Sequence, residues 1–273
     1  MQCKICKSDT QIITSKLILN KYTTNYHQCR TCHFIQTDEP FWLAESYNEA
    51  ITKLDIGLIN RNVYLQNKIP ALIDTFFSNA QIMLDYGGGY GMFVRMMRDL
   101  GYDFFRQDKH CENIFANHFD ITDSSTQKFD ILTAFEVFEH LEHPMAEIEK
   151  MFEFSENIIF STVLNPPTIQ EFENWWYVSP LTGQHIAFYD QTTLTYIAKK
   201  FNKNVYTNGV NLHVFTSQKI DPALWARVFQ EPKKTLLQRV ADRLSPKQLP
   251  VKHRDSLLQK DYDVIEKKLI SKN

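Results

Sequence analysis

The chain has 273 residues, 43% apolar and 23% charged, with a formal net charge of −2. That composition suits a soluble core and gives no global basic field for nucleic acid. No run approaches the ~18 apolar residues of a membrane span, and the start MQCKICKSDT lacks the apolar centre of a secretory signal, so a cytoplasmic protein is expected.

Four of the five cysteines open the chain as two C-x2-C pairs, Cys3 with Cys6 and Cys29 with Cys32, 22 residues apart. Two such knuckles bring four thiolates together in the tetrahedral set that zinc takes. With four protein ligands no coordination position stays open, so the expected Zn2+ is structural. The intervening TQIITSKLILNKYTTNYHQ alternates and is β-branched, as the strands of a zinc ribbon over residues 1–38 would be. Cys111 stands alone and reads as a small core residue.

Residues 39–80 read as a helical linker. Phe41, Trp42, Tyr47 and Ile51 fall near helical spacing, and VYLQNKIPALIDTFF continues the pattern with an expected interruption at Pro70.

From 81 to 220 strands alternate with helices. QIMLDY, YDFFRQD, NIFANHFDI, KFDILTAFE and NIIFSTVL read as successive strands, the third of them short. GMFVRMMRDLG, HPMAEIEKMFEF and TTLTYIAKKFN read as helices, and NVYTNGV with LHVFTSQK as a closing antiparallel pair. This is the pattern of a doubly wound α/β sheet of about seven strands.

The tail, 221–273, carries 12 Lys+Arg against 7 Asp+Glu, a net of +5 that leaves −7 on residues 1–220. Trp225, Val228, Phe229, Leu236, Leu237, Val240 and Leu244 trace an amphipathic helical path with a solvated basic face.

Half of the eight glycines lie in LDYGGGYG, residues 84–91. Triphosphate binding fails, because no Lys-Ser or Lys-Thr follows. A dinucleotide fingerprint fails as well, since its third glycine would fall at Met92. The spacing is Gly87-x-Gly89-x-Gly91 behind Asp85.

With FDILTAFEVFEHLEHP at 129–144, including the Glu139-His140 pair and Pro144, this arrangement resembles the class I S-adenosylmethionine-dependent methyltransferases. The resemblance spans about residues 80–220 and implies a Rossmann-like sheet whose glycine loop admits the methionine end of the cofactor. It implies cofactor contacts from Asp85, Gly87, Gly89 and Gly91, ribose hydroxyls on Asp108, adenine near Phe119 and Asp120, and further contacts from Phe135 and Glu136. NPPT at 165–168 imitates an adenine-gripping motif but follows the wrong strand and lacks its aromatic, so it reads as a loop leaving the sheet.

The long connection after the fifth strand carries Trp175, Trp176, Tyr177 and Gln184 as expected substrate contacts, since carboxyl-edge loops form the crevice of such sheets. Methyl transfer needs an aligned acceptor, excluded water and a proton taken from the nucleophile. His185 and His140 are the expected bases, with Tyr189 and Asp190 as orienters. GQHIAFYD resembles a stretch in a zinc-ribbon-bearing methyltransferase subgroup, some members of which are encoded with saccharide-biosynthesis enzymes. That points to a saccharide or nucleotide-sugar acceptor.

Two readings compete. Zinc-ribbon ribosomal-RNA methyltransferases share this order, but the acidic balance of 1–220 and the sparse cations near the ribbon (Lys4, Lys7, Lys16, Lys21 and Arg30) argue against nucleic acid. The other is a catalytically spent cofactor-binding module that recruits partners. Oligomeric state is not legible.

Overall fold

The alternating first segment forms strands β1 (Thr10–Ile18) and β2 (Tyr22–Cys29), paired antiparallel from Thr10 opposite Cys29 to Ile18 opposite Tyr22. The chain is seen in a computed structural model that describes residues 1–47 and 52–229 together with Asp263, Glu266, Lys267 and Ile270. β3 (Ile35–Thr37) adds to β2. Helices α1 (Leu43–Ser46) and α2 (Leu58–Phe76) follow. The expected break at Pro70 does not occur, for α2 runs through it. Leu65, Ile69, Leu72 and Ile73 bury one face on both sides of the proline, and that packing outweighs one missing hydrogen bond. Ile51 lies outside the described residues.

The alternating region gives β4 (Ile82–Tyr86), α3 (Met92–Asp99), β5 (Asp103–Gln107), β6 (Ile131–Phe135), α4 (Pro144–Phe154), β7 (Ile158–Ser161) and α5 (Ile169–Glu173). Then come β8 (Ala187–Phe188), α6 (Gln191–Lys200), β9 (Asn204–Thr207), β10 (Leu212–Thr216) and α7 (Pro222–Phe229). The main sheet has six strands in the order β5-β4-β6-β7-β10-β9, not about seven. The expected strand at 113–121 shrinks to a single bridge, Arg106 to Asp120, because side-chain hydrogen bonds rather than a ladder hold that segment. β4 to β7 run parallel, and β10 lies antiparallel between β7 and β9, as the closing pair was read.

Alternate residues of each strand face opposite cores. Met83, Ile131, Ile159 and Val214 meet α2, α3 and Trp225 of α7 on one side. Leu84, Leu132, Ile158 and Phe215 meet α4 and α6 on the other. That second core continues without a break into Cys3, Cys29, Cys32 and Phe34, so the cysteine module and the sheet share one interior.

β8, from the long connection after β7, pairs with β3 and completes a four-stranded second sheet. Thr193 Oγ1 donates to the Cys32 carbonyl at 2.8 Å, and Trp42 Nε1 to that of Gly183 at 2.9 Å. No described helix is long and apolar enough to cross a membrane. Of the tail path, Trp225, Val228 and Phe229 lie in or at α7, while Leu236, Leu237, Val240 and Leu244 lie outside the described residues.

Candidate active site

Strand order reverses at β4, which has β5 on one side and β6 on the other, and the carboxyl-end loops at such a reversal are where sheets of this kind bind their ligands. The glycine loop leaves β4 in left-handed steps, with φ of +70° at Gly87, +53° at Gly89 and +84° at Gly91. Gly87 and Gly88 N–H donate to the Gln107 carbonyl at 2.7 and 3.2 Å, pinning the loop to the end of β5. A Cβ on Gly87 would stand 2.7 Å from Val137 Cγ2. The bare backbone therefore lets this loop press against the turn that follows β6.

Asp108, just past β5, faces the same loop. Its Oδ2 accepts Gly89 N–H at 2.9 Å, and its Oδ1 accepts His110 and Cys111 N–H at 2.7 and 2.8 Å. Asp85 is buried beneath the loop and takes the Thr133 hydroxyl at 2.6 Å; burial pushes its carboxyl up to about 7.

One organiser of this end was missed in the sequence. Arg106, 3% exposed in β5, donates Nε–H to the Gly89 carbonyl at 2.7 Å, one amino group to Asp120 at 2.5 Å, and the other to the Cys111 carbonyl. A guanidinium with five donors can tie three segments at once. Asp120 also accepts from Asn113 at 3.0 Å, so its carboxylate is engaged on both oxygens. Phe119 is half-buried and carries the Arg98 guanidinium 3.6 Å from its ring centre, which covers one face. Phe135 packs edge-on against Phe93.

Glu136 leaves β6 with φ of +53° and takes the Ser161 hydroxyl at 2.6 Å. Burial, reinforced by the charge of Glu139, pushes it up to about 7.

Glu139, His140 and His185 converge, one donor atom from each lying within 4.8 Å of the others. His140 Nδ1 faces the Gln184 carbonyl at 3.1 Å, and His185 Nδ1 the Tyr177 carbonyl at 2.5 Å. A carbonyl only accepts, so each Nδ1 bears the proton and each Nε2 a lone pair. Burial keeps both rings neutral, lowering His140 to about 4 and His185 to about 3. Glu139, fully buried, is pushed up to about 7 by desolvation.

The flanking residues sit elsewhere than expected. Tyr189 and Asp190 do not orient these histidines. Tyr189 is fully buried and donates to the Phe138 carbonyl, while Asp190 caps α6 through Thr193 N–H and pairs with His33 at 3.0 Å. β8 pairing with β3 turns both toward the cysteine module. Tyr177 and Gln184 are also buried rather than open to a substrate: Tyr177 donates to Glu139, and Gln184 Nε2 to the Ser46 carbonyl at 2.9 Å. Trp175 packs against Phe172 and Tyr177, whereas Trp176 is 70% exposed.

Three residues of the linker, also missed, border the cluster. Tyr47 stacks on His110 at 5.1 Å and reaches toward His140. Arg61 is held by Asp55 through two bonds of 2.7 and 2.8 Å and lies 3.9 Å from Glu136. Aromatic content and an arginine–aspartate pair in a helical segment carry no local signal of such a placement.

The four expected metal-site cysteines do cluster, with Cys3 and Cys32 sulfurs 3.5 Å apart and those of Cys6 and Cys29 3.4 Å apart. Backbone N–H groups of Ile5 and Thr31 point at Cys3 and Cys29 sulfur. Tetrahedral coordination at ~2.3 Å places sulfurs roughly 3.8 Å apart, so the set fits zinc.

A family model described as a methyltransferase domain matches residues 60–208, more than half of the chain. No curated protein matches it. Among solved structures, the plantazolicin methyltransferase BpumL in complex with SAH aligns at 14% identity, covering 64% of this chain and 94% of that one, with a TM-score of 0.47. The mitomycin 7-O-methyltransferase MmcR aligns at 12% identity over 64% of this chain and 60% of its own, TM-score 0.42. Magnesium protoporphyrin IX methyltransferase (ChlM) from Synechocystis PCC 6803 aligns at 10% identity over 64% and 93%, TM-score 0.40.

Proposed function

Because this chain belongs to the methyltransferase-domain family, and is thus an S-adenosylmethionine-dependent enzyme, we propose that it methylates a small-molecule acceptor held between the glycine loop and the Glu139–His140–His185 cluster. The observation that carries this reading is the pair of loops at the β4/β6 reversal, one bare and left-handed, the other bearing the cluster. When bound, S-adenosylmethionine supplies an electrophilic methyl group on a sulfonium.

Gly87, Gly89 and Gly91 leave room for its amino-acid end, with Asp85 buried beneath them. Asp108 holds the loop through three N–H bonds and keeps one lone pair, on Oδ2, for a ribose hydroxyl. Phe119 would offer its other face to the adenine, and Asp120, Phe135 and Glu136 are the further cofactor contacts in this reading. The lone pairs of His140 and His185 are the basic groups available to an acceptor hydroxyl. Trp176 is the exposed aromatic able to stack on a sugar ring, in keeping with a saccharide or nucleotide-sugar acceptor.

Cys3, Cys6, Cys29 and Cys32 would hold a structural zinc that closes the two knuckles of a ribbon. By sharing its core with the sheet, that ribbon steadies the connection carrying His185.

Calorimetric titration with S-adenosylhomocysteine, against NADH as control, tests the cofactor assignment. Micromolar binding of the former alone is expected. Binding of NADH alone would replace it with a dehydrogenase.

A further inference from the structure

The Glu139 carboxylate is only half satisfied in the interior of the site. Oε1 receives the Tyr177 hydroxyl at 2.6 Å, while Oε2 is buried with no hydrogen-bond partner among the described residues. An unpaired buried carboxylate oxygen costs several kcal/mol, roughly 1–3 or more, which points to a ligand that it meets.

The neighbouring donors are prepared for the same ligand. His140 and His185 each spend Nδ1–H on a backbone carbonyl, which fixes the tautomer and directs the remaining lone pair, at Nε2, away from that anchor. Their rings stand 4.9 Å apart at 86°. Imidazoles anchored through the far nitrogen, and a carboxylate anchored through one oxygen, are what surrounding shells provide for metal ligands. Tyr177 anchors two of the three members, through its hydroxyl and its carbonyl.

A cation bound here would meet carboxyl groups that it would help to ionise. Glu139, Glu136 and Asp55 act on this cluster against the single guanidinium of Arg61, which Asp55 already engages through two bonds. Two imidazole nitrogens and one carboxylate suit first-row transition metals better than magnesium or calcium, which prefer all-oxygen sets.

We infer that Glu139, His140 and His185 form a second metal site, a two-histidine, one-carboxylate face for a divalent first-row transition-metal cation, separate from the four cysteines. Ligand atoms around such an ion sit roughly 3 Å apart, so the present spacing of up to 4.8 Å requires side-chain closure of an ångström or two. Positions left open on the ion would face the acceptor, where a bound hydroxyl would lose its proton more readily; with Nε2 given to the ion, the two histidines would serve as ligands in place of bases. This deepens the reading of the acceptor end, yet its test needs neither cofactor nor turnover. A shared proton is the competing occupant of the cluster.

The full-length protein is stripped of metal, given one equivalent of zinc to fill the cysteine site, and titrated with Mn(II) while the free-ion electron paramagnetic resonance signal is followed. One saturable Mn(II) equivalent per chain is expected, at least about tenfold weaker in His185→Gln and in Glu139→Gln, with zinc content unchanged. Selective broadening of the His140 and His185 imidazole resonances by Mn(II) in the unmutated protein gives the same answer without a variant. Absence of uptake, or uptake that leaves both imidazoles sharp and both variants unaffected, would overturn the assignment.

Discussion

The hydroxyl of Tyr177 donates to Oε1 of Glu139 across 2.6 Å, inside a region where both residues are essentially inaccessible to water. The long connection after β7 is thereby latched onto the turn after β6, and the Ile186 N–H donating to the Glu139 carbonyl at 2.9 Å closes the latch from the other side. Tyr177→Phe removes the donor while keeping the ring. We expect a loss of about 1–3 kcal/mol in urea unfolding. Turnover should fall while the dissociation constant for S-adenosylhomocysteine stays unchanged, because the latch touches the acceptor end and not the glycine loop. Equal loss in both would place the latch under the cofactor instead.

At the other end, Asp108 accepts three backbone N–H groups, one of them from Gly89. Asp108→Ala removes the charge that orders this loop together with the acceptor offered to the ribose. Charge-assisted bonds of this kind contribute roughly 1.5–3 kcal/mol, so calorimetry should show S-adenosylhomocysteine binding weaker by about 10–100-fold. Unaltered affinity would remove Asp108 from the cofactor site.

Features written in local signals were legible in the sequence. The strand–glycine–helix junction at 82–99, the closing pair β9–β10 and the cysteine spacing all depend on residues near one another in the chain. What stayed hidden depends on distant partners. Nothing within FFRQD signals the burial of Arg106, which only Asp120 and the carbonyls of Gly89 and Cys111 explain. β8 has two residues, too few for any alternation, so its pairing with β3 is invisible before folding. Tyr189 and Asp190 follow His185 closely in the chain, yet β8 sends the Tyr189 hydroxyl to the Phe138 carbonyl and Asp190 to His33. Helix α2 crosses Pro70 because burial of its apolar face against the sheet overrides a local breaker.

Arg106 also predicts a stability effect. Arg106→Met keeps the apolar stem but deprives Asp120 and the Gly89 and Cys111 carbonyls of their donor. Leaving acceptors without their donor costs about 1–3 kcal/mol each, whereas Asp120→Asn, at a side chain 32% exposed, keeps an oxygen that can accept from the guanidinium and should cost markedly less. Urea midpoints of the two variants measure the asymmetry. Similar values for both would mean that the guanidinium stabilises the fold only through Asp120.

His213 sets a dependence on pH that can be separated from the site. It is fully buried in β10, donates Nε2–H to the Thr162 carbonyl at 2.9 Å, and accepts the Thr207 hydroxyl on Nδ1 at 2.8 Å. Burial lowers it from an ordinary value of 6.5 to about 4. The folded state thus binds this proton less readily than the unfolded chain. Its contribution is present above about pH 6.5 and is lost as pH falls toward 4, because only the unfolded state is charged in that interval. Asp85, Glu136 and Glu139, all pushed up to about 7, work in the opposite direction, so the total curve hides the histidine. His213→Gln isolates it. The variant loses hydrogen bonds at every pH but has no proton to take up, so its stability deficit relative to the natural chain should shrink by about 2 kcal/mol between about pH 7.5 and pH 5. A deficit that stays constant across that range in chemical denaturation would show that His213 titrates alike in the folded and unfolded states.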